Sequence, residues 1–294
     1  MIETNPFSAN LSRKLGLGNA FGGGWVRSVF LLLVLGSARA GEPLDVPLPG
    51  DDATYRPTVV VRKGSALGTG TIIASVEGET LILTASHVVE ESGPLHVELF
   101  RYNFGLEHAR SVKGFPRKVG ASIAARDRNT DLAILRVGGQ LKLPYVARIA
   151  MSSRPIAVGS AVTSIGFDRG ERLIGFPTRV KKVERIDMDR GGGDRSFLIT
   201  ENPPEVGRSG GGLFLPDGTL VGVCLAKAQL KLGPVLGMYS TVANVERLLK
   251  SQQGLGSVVA RSHPVVSAPP SPSTIPRKLD IPEINRTGDR IRAN

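Results

Sequence analysis

The sequence predicts an all-β protein, a sandwich or a barrel. Short runs rich in Val, Ile, Thr and Leu recur between Gly, Pro, Asn and Asp. They are Thr58–Arg62, Gly70–Ser75, Thr80–Thr84, Leu95–Phe100, Leu132–Val137, Ala161–Gly166, Phe197–Thr200, Thr219–Leu225 and Gly237–Ser240. Such residues suit a pleated, half-buried surface. No long helical period runs between them, and there is no internal repeat. One helix is expected, Val242–Ser251, where Val245, Leu248 and Leu249 fall on one face.

The ends are not expected to join that fold. Arg27 is followed by the apolar run Val29–Leu35 and then by Ala38-Arg39-Ala40. A basic flank, a short apolar core and an A-x-A site describe a secretory signal peptide over residues 1–40. Val29–Leu35 is far shorter than the ~20 residues of a membrane span, so no transmembrane anchor is expected after cleavage. From Leu255 to Asn294 the chain is rich in Pro and Ser and lacks hydrophobic periodicity. A segment of that kind cannot bury enough apolar surface to offset its ordering entropy. Residues 255–294 are therefore expected to be a disordered tail, and 41–254 the folded domain.

The formal charge of +11 over 294 residues invites a nucleic-acid partner. The first 40 and the last 40 residues each carry a net +3, which leaves +5 for the rest. Those charges are scattered, with no basic stripe interleaved with aromatics, so no specific nucleic acid is expected. Attraction to anionic envelope surfaces is the weaker alternative. Cys224 is the one cysteine, which excludes an intramolecular disulfide. It lies in the apolar run Leu220–Leu225 and reads as a small buried hydrophobe. An exported domain of about 200 residues can be stable by packing alone.

Chemistry enters with Val206-Gly207-Arg208-Ser209-Gly210-Gly211-Gly212. A nucleophilic serine must project from a tight turn, and nearby backbone N–H groups must face the oxygen that becomes negative during acyl transfer. Glycines supply the turn without side chains that would block a substrate. A glycine-rich serine turn alone usually just reverses the chain. Two further segments lift it above that reading. Leu81–Ser86 ends in a small-residue turn carrying His87, and Asp131 leads into the apolar run Leu132–Val137. The chain order His, Asp, Ser is one of the known triad orders. His96, His108 and His263 have no ligand-spaced partners, so no metal and no cofactor are expected. Asp127 rivals Asp131, but the buried run after Asp131 favours the latter.

Thr84-Ala85-Ser86-His87, Asp131-Leu132-Ala133-Ile134-Leu135 and Gly207-Arg208-Ser209-Gly210-Gly211 resemble the motifs of chymotrypsin-fold, trypsin-like serine proteases. Over about Thr58–Lys250 the resemblance is closest to the bacterial HtrA/Deg type, here without its PDZ domain. It implies two six-stranded antiparallel β-barrels of chymotrypsin type, about residues 55–140 and 156–241, plus a short C-terminal helix. Residues 140–155 would cross between the barrels. It also implies a His87–Asp131–Ser209 triad and an oxyanion hole from the N–H groups of Gly207 and Ser209. Two departures stand out. Arg208 replaces an Asp or Asn, which rules out the pairing with a freshly cut N-terminus and would disturb the loop if buried unpaired. Gly212 replaces a Pro, which would add flexibility.

Pro203 lies six residues before Ser209, where trypsins place the acid that binds Arg or Lys. With Leu225 and Ala226 it suggests a small or medium apolar residue before the scissile bond. Lys227 is expected to be solvated at the edge of that pocket. The resemblance thus implies an exported endopeptidase acting on proteins or peptides. The rival is a protease-fold module that binds peptides without cleaving them. Oligomeric state has no signature in the sequence. Cleavage after Ala40 predicts that N-terminal sequencing of exported protein begins at Gly41; a mature chain retaining Val29–Leu35 would indicate an anchor instead.

Overall fold

The structure is a computed structural model and describes residues 51–105, 114–139, 142–188, 193–229 and 233–263. The expected signal peptide at 1–40 and the tail beyond His263 lie outside the described residues.

Two sheets form. The first contains β1 (Thr58–Lys63), β2 (Ala66–Val76), β3 (Glu79–Ala85), β4 (Leu95–Leu99), β5 (Arg117–Gly120), β6 (Ser122–Asp127) and β7 (Leu132–Gly138). Their order is β5-β4-β1-β2-β3-β7-β6. The second contains β8 (Arg148–Ile149), β9 (Ala161–Asp168), β10 (Arg172–Met188), β11 (Gly193–Thr200), β12 (Gly212–Phe214), β13 (Thr219–Gln229) and β14 (Val235–Thr241). Its order is β12-β9-β10-β11-β14-β13-β8, and a β12–β13 pairing closes six of these strands into a ring. This is the all-β double-barrel architecture expected, with a seventh strand in each sheet. In the second sheet the addition is β8, which runs parallel to β13 and belongs to the crossing segment.

Leu81-Ile82-Leu83 shows why the strands read as continuous apolar runs rather than as alternating ones. Ile82 joins a cluster with Ile72, Ala133 and Leu135 that extends to Phe197, Ile199, Leu225 and Met238 of the second sheet. Leu81 and Leu83 join another, with Ile73 and Ile134, that extends to Ile165, Phe214 and Val223. Both faces of these strands are buried, so both must be apolar. Val162, Val180, Leu198, Leu213, Val221, Cys224 and Tyr239 pack together in the second barrel.

The strand β10 has no counterpart in the sequence reading. Charged residues interrupt it, and Pro177 breaks its pattern. It tolerates Pro177 because it pairs with β9 over Arg172–Arg179 and with β11 only from Val180 onward. At Pro177 one edge is open, where a missing N–H costs least. The bulge between Val180 and Lys182 bends the strand from one partner to the other.

The expected helix appears as α1, Val242–Ser251, with Val245 and Leu248 buried. The chain does not stop being folded at Gly254, as expected, but continues into a second helix, α2, Leu255–Ser262. Leu255 and Val258 are buried in the cluster that joins both sheets. The Ser75 N–H donates to Ser262 Oγ at 2.7 Å, and His263 Nε2 lies 3.2 Å from the Ile73 carbonyl. Leu255, Val258 and Val259 repeat the spacing seen in α1, but Gly256 and Ser257 between them and the Pro- and Ser-rich stretch that follows hide that signal in the sequence.

Fully burying Leu255 and Val258 is worth roughly 3 kcal/mol or more. A chain ending at Gly254 should therefore melt about 6–12 °C below one ending at His263, and equal melting temperatures would show that α2 adds nothing. Burial also pushes the Cys224 thiol up to about 12, so almost no thiolate exists at neutral pH. A thiol reagent should modify Cys224 only once the domain unfolds.

Candidate active site

His87 sits in a 3-10 turn, Ser86–Val89, directly after β3. Asp131 immediately precedes β7, which pairs with β3. The Asp131 carboxylate grips His87 twice: the His87 backbone N–H donates to Oδ1 at 2.9 Å, and Nδ1 lies 2.6 Å from Oδ2. The Asp131 carbonyl accepts the Ser86 N–H at 3.0 Å. An ionised carboxylate can only accept, so Nδ1 carries the proton, which in the neutral ring leaves the lone pair on Nε2. Asp131 is 1% exposed, which keeps water from competing for that bond.

Asp127 has a different task. Its carboxylate accepts the Asn129 N–H at 2.9 Å and the Thr130 hydroxyl at 2.8 Å. It shapes the turn that delivers Asp131. On the outer side of the His87 turn, Arg126 Nε donates to Ser86 Oγ at 2.6 Å, and Arg126 also donates to Glu90 at 2.9 Å.

Ser209 comes from the second barrel, on the loop before β12. Its carbonyl accepts the Thr69 N–H of β2 at 2.8 Å, and the Thr69 hydroxyl donates to the Gly207 carbonyl at 2.8 Å. The next residue must be glycine. Gly210 has φ +88°, and a Cβ there would lie 2.1 Å from the Thr69 carbonyl oxygen and 2.8 Å from the Ala85 nitrogen. The serine loop therefore rests against the end of β3, two residues before His87. The structure thus brings His87, Asp131 and Ser209 to one seam. Ser209 Oγ donates to the Leu225 carbonyl at 3.2 Å, and among the described hydrogen bonds none joins Ser209 to His87. Leu225 is the extra residue of a bulge in β13, between Cys224 and Ala226.

The backbone of the loop is fixed peptide by peptide. The Val206 carbonyl accepts the Arg169 N–H at 2.7 Å, and the Arg208 carbonyl accepts the Gly211 N–H at 2.8 Å. In a trans peptide the N–H points opposite to the carbonyl. The N–H groups of Gly207 and Ser209 are thereby turned away from those partners, and neither has a hydrogen-bond acceptor among the described residues. Two free, fixed donors beside a serine hydroxyl can receive a developing negative charge.

Arg208 is 1% exposed yet paired. Nε pairs with the Asp168 carboxylate, Nη1 donates to the Ser164 carbonyl at 3.1 Å, and the guanidinium lies 4.6 Å from the centre of the Phe176 ring. The disturbance expected from an unpaired arginine does not arise. Gly212 brings no slack either. It begins β12 and pairs with both Ile165 and Val223.

Of the residues expected to meet a substrate, Pro203 is half-buried, and nearby Val206 is 69% exposed. The Leu225 side chain is buried in the cluster shared by the barrels, so its carbonyl, not its side chain, meets Ser209. Ala226 is half-buried opposite Met238. Lys227 is exposed, and its Nζ lies 3.8 Å from Glu205 Oε2, both side chains being about half exposed. Thr69, Asp168, Arg169 and Glu205 escaped the sequence reading. The glycines flanking Thr69 were the only available signal, since close packing at Gly68 and Gly70 leaves no room for a Cβ. No group of acidic, His or Cys side chains among the described residues could hold a metal ion. No helix of the described residues is long and apolar enough to cross a membrane.

The chain is 26% identical over 202 residues to a Do-like protease of Arabidopsis thaliana, covering 68% of this chain and 44% of that protein. It is 28% identical over 185 residues to a DegP-like periplasmic serine endoprotease of Rickettsia conorii, covering 62% of this chain and 32% of the relative. It thus spans less than half the length of these relatives. Its fold matches a protease of M. tuberculosis in the active form (TM-score 0.55, 21% identity, 78% of this chain and 95% of that one). It also matches a serine endoprotease from Yersinia pestis (TM-score 0.51, 22% identity, 70% and 67%). Residues 68–223, which span Thr69, His87, Asp131 and Ser209, match the trypsin-like peptidase domain, and the chain belongs to that family.

Proposed function

We propose that this chain is an exported serine endopeptidase that works through a His87–Asp131–Ser209 triad. The observation that carries the reading is the double grip of Asp131 on His87 beside a serine loop with two unclaimed N–H groups. His87 Nε2 takes the Ser209 proton as Oγ attacks the peptide carbonyl. The tetrahedral oxyanion is stabilised by the N–H groups of Gly207 and Ser209. His87 then gives its proton to the departing amine, which leaves an acyl-enzyme. Water, deprotonated by His87, releases the acid and restores Ser209. Rotation of Ser209 about its Cα–Cβ bond exchanges the Leu225 carbonyl for His87 as hydrogen-bond partner. Export is supported by the DegP-like relatives, which are described as periplasmic.

The exposed Val206 and half-buried Ala226 offer apolar contacts for the residue before the scissile bond. Glu205, the acid nearest in sequence to Ser209, is exposed and lies beside the charge of Lys227. A small or medium apolar residue suits such a site, and Arg or Lys does not. The second reading, a peptide-binding module without turnover, draws on one observation: the Ser209 hydroxyl is bonded to Leu225 and not to His87.

A fluorophosphonate probe separates the two, because only an activated serine reacts with it. Wild type should label and Ser209→Ala should not. In hydrolysis of a peptide library, Ser209→Ala and His87→Ala should each lose on the order of 10⁴-fold or more in kcat, and the double variant hardly more. Asp131→Asn should also cripple kcat, because the amide favours the wrong histidine tautomer. Background rates for wild type and Ser209→Ala alike would leave binding as the function.

A further inference from the structure

We infer that Arg208 and Asp168 form an internal lock that sets the serine loop in its working shape, so that Arg208 is a positioning residue for the oxyanion-binding N–H groups. The inference rests on the endopeptidase reading for its kinetic part only.

Arg208 stands between the two residues whose N–H groups matter, Gly207 and Ser209. Its side chain leaves the loop inward and is buried. What surrounds it is rich in acceptors: the Asp168 carboxylate, the Ser164 carbonyl and the face of the Phe176 ring. That cage matches a planar cation with five donors that stacks on aromatics. A carboxylate placed there would face another carboxylate and a carbonyl. An asparagine would be too short to reach all three groups and would leave Asp168 without its counter-charge.

The same corner of β9 holds the loop backbone as well. Asp168 opens the turn between β9 and β10, and Arg169, the next residue, adopts φ +51°. In that left-handed conformation its N–H reaches the Val206 carbonyl at 2.7 Å. Gly207 packs so tightly on this corner that a Cβ would lie 2.7 Å from both the Arg169 nitrogen and the Phe167 carbonyl oxygen. The Arg208 side chain and the Val206 carbonyl are thus two ties from one loop to one turn, on either side of the Gly207 N–H. Losing the ion pair leaves the Val206 carbonyl as the one remaining tie, so the Val206–Gly207 peptide rotates more readily, and that rotation removes an oxyanion donor. The lock uses only groups within this chain, so no cut N-terminus is needed to form it.

The test uses Asp168→Asn, Arg208→Lys and Arg208→Asn in the full chain, with hydrogen exchange and steady-state kinetics read together. Asp168→Asn keeps the shape of a side chain already 24% exposed, so the fold should survive. Expected for Asp168→Asn is faster amide exchange confined to residues 205–211, with kcat lowered about 10²-fold and KM nearly unchanged. Arg208→Lys keeps the charge but not the fork, and should fall between wild type and Arg208→Asn. Arg208→Asn should lower kcat further. Exchange at 205–211 equal to wild type in Asp168→Asn would overturn the lock, and so would a kcat in Arg208→Asn at or above the wild-type value. If wild type neither labels nor hydrolyses, the endopeptidase reading fails on its own, and the exchange data still decide whether the ion pair holds the loop.

Discussion

Thr69 is where the two barrels are tied into one site. It is fully buried in β2, and its N–H and its hydroxyl both cross to the second barrel. Its N–H donates to the Ser209 carbonyl, and its hydroxyl donates to the Gly207 carbonyl while accepting the Phe167 N–H at 3.0 Å. Its carbonyl accepts the Thr84 hydroxyl at 2.7 Å. A buried polar group left unpaired costs about 1–3 kcal/mol, so these bonds are obligatory once the barrels pack. They fix the serine loop of one barrel relative to the strand that carries the histidine turn of the other. Apolar contact alone could not do this, because a hydrophobic seam tolerates sliding whereas a set of directional bonds does not.

The apolar seam supplies the strength that the polar one lacks. β2, β3 and β7 bury both faces, one toward Phe197, Ile199, Leu225 and Met238, the other toward Phe214, Val223 and the helices α1 and α2. The helices thus serve as a bolt across the back of the barrels, on the same cluster that holds the strands carrying His87 and Asp131. This gives the C-terminal helix a part in the geometry of a site to which it contributes no side chain.

The reach of sequence reasoning follows from which physics is local. Strands buried on both faces announce themselves as apolar runs, and α1 shows its buried face in Val245, Leu248 and Leu249. By contrast β10 is half charged because most of one face meets water, and its Pro177 is allowed only by a pairing change that the sequence does not display. Helix α2 has the same spacing in Leu255, Val258 and Val259, but Gly256 and Ser257 within it and the Pro- and Ser-rich stretch after it mask the signal. Within the site, His87, Asp131 and Ser209 are legible because acyl-transfer chemistry demands those residue types in recognisable turns. Thr69 and Asp168 are not, since a threonine in a strand and an aspartate in a hairpin turn are ordinary residues until the fold brings them to the serine loop. Arg208 is the instructive case. Read alone it threatens the loop, and only its three distant partners show why a cation belongs there.

Strain is placed where it is used. Among the described residues only two other than glycine have positive φ, Asp131 at +53° and Arg169 at +51°. Each such residue costs on the order of 1–3 kcal/mol unless the surroundings hold it, aspartate less than arginine. Asp131 is held by the His87 and Ser86 N–H groups on one side and by the Asp127 turn on the other. Arg169 is held by the Val206 carbonyl and by the packing of Gly207. One strained residue aims the carboxylate at the histidine, and the other aims a backbone N–H at the peptide whose opposite face is the Gly207 N–H. Relaxing either to ordinary backbone would release energy and misplace a group by a whole peptide rotation. The fold therefore keeps its two least favourable conformations at the two points where a small rotation matters most, and its dense core at the barrel seam is what makes them affordable.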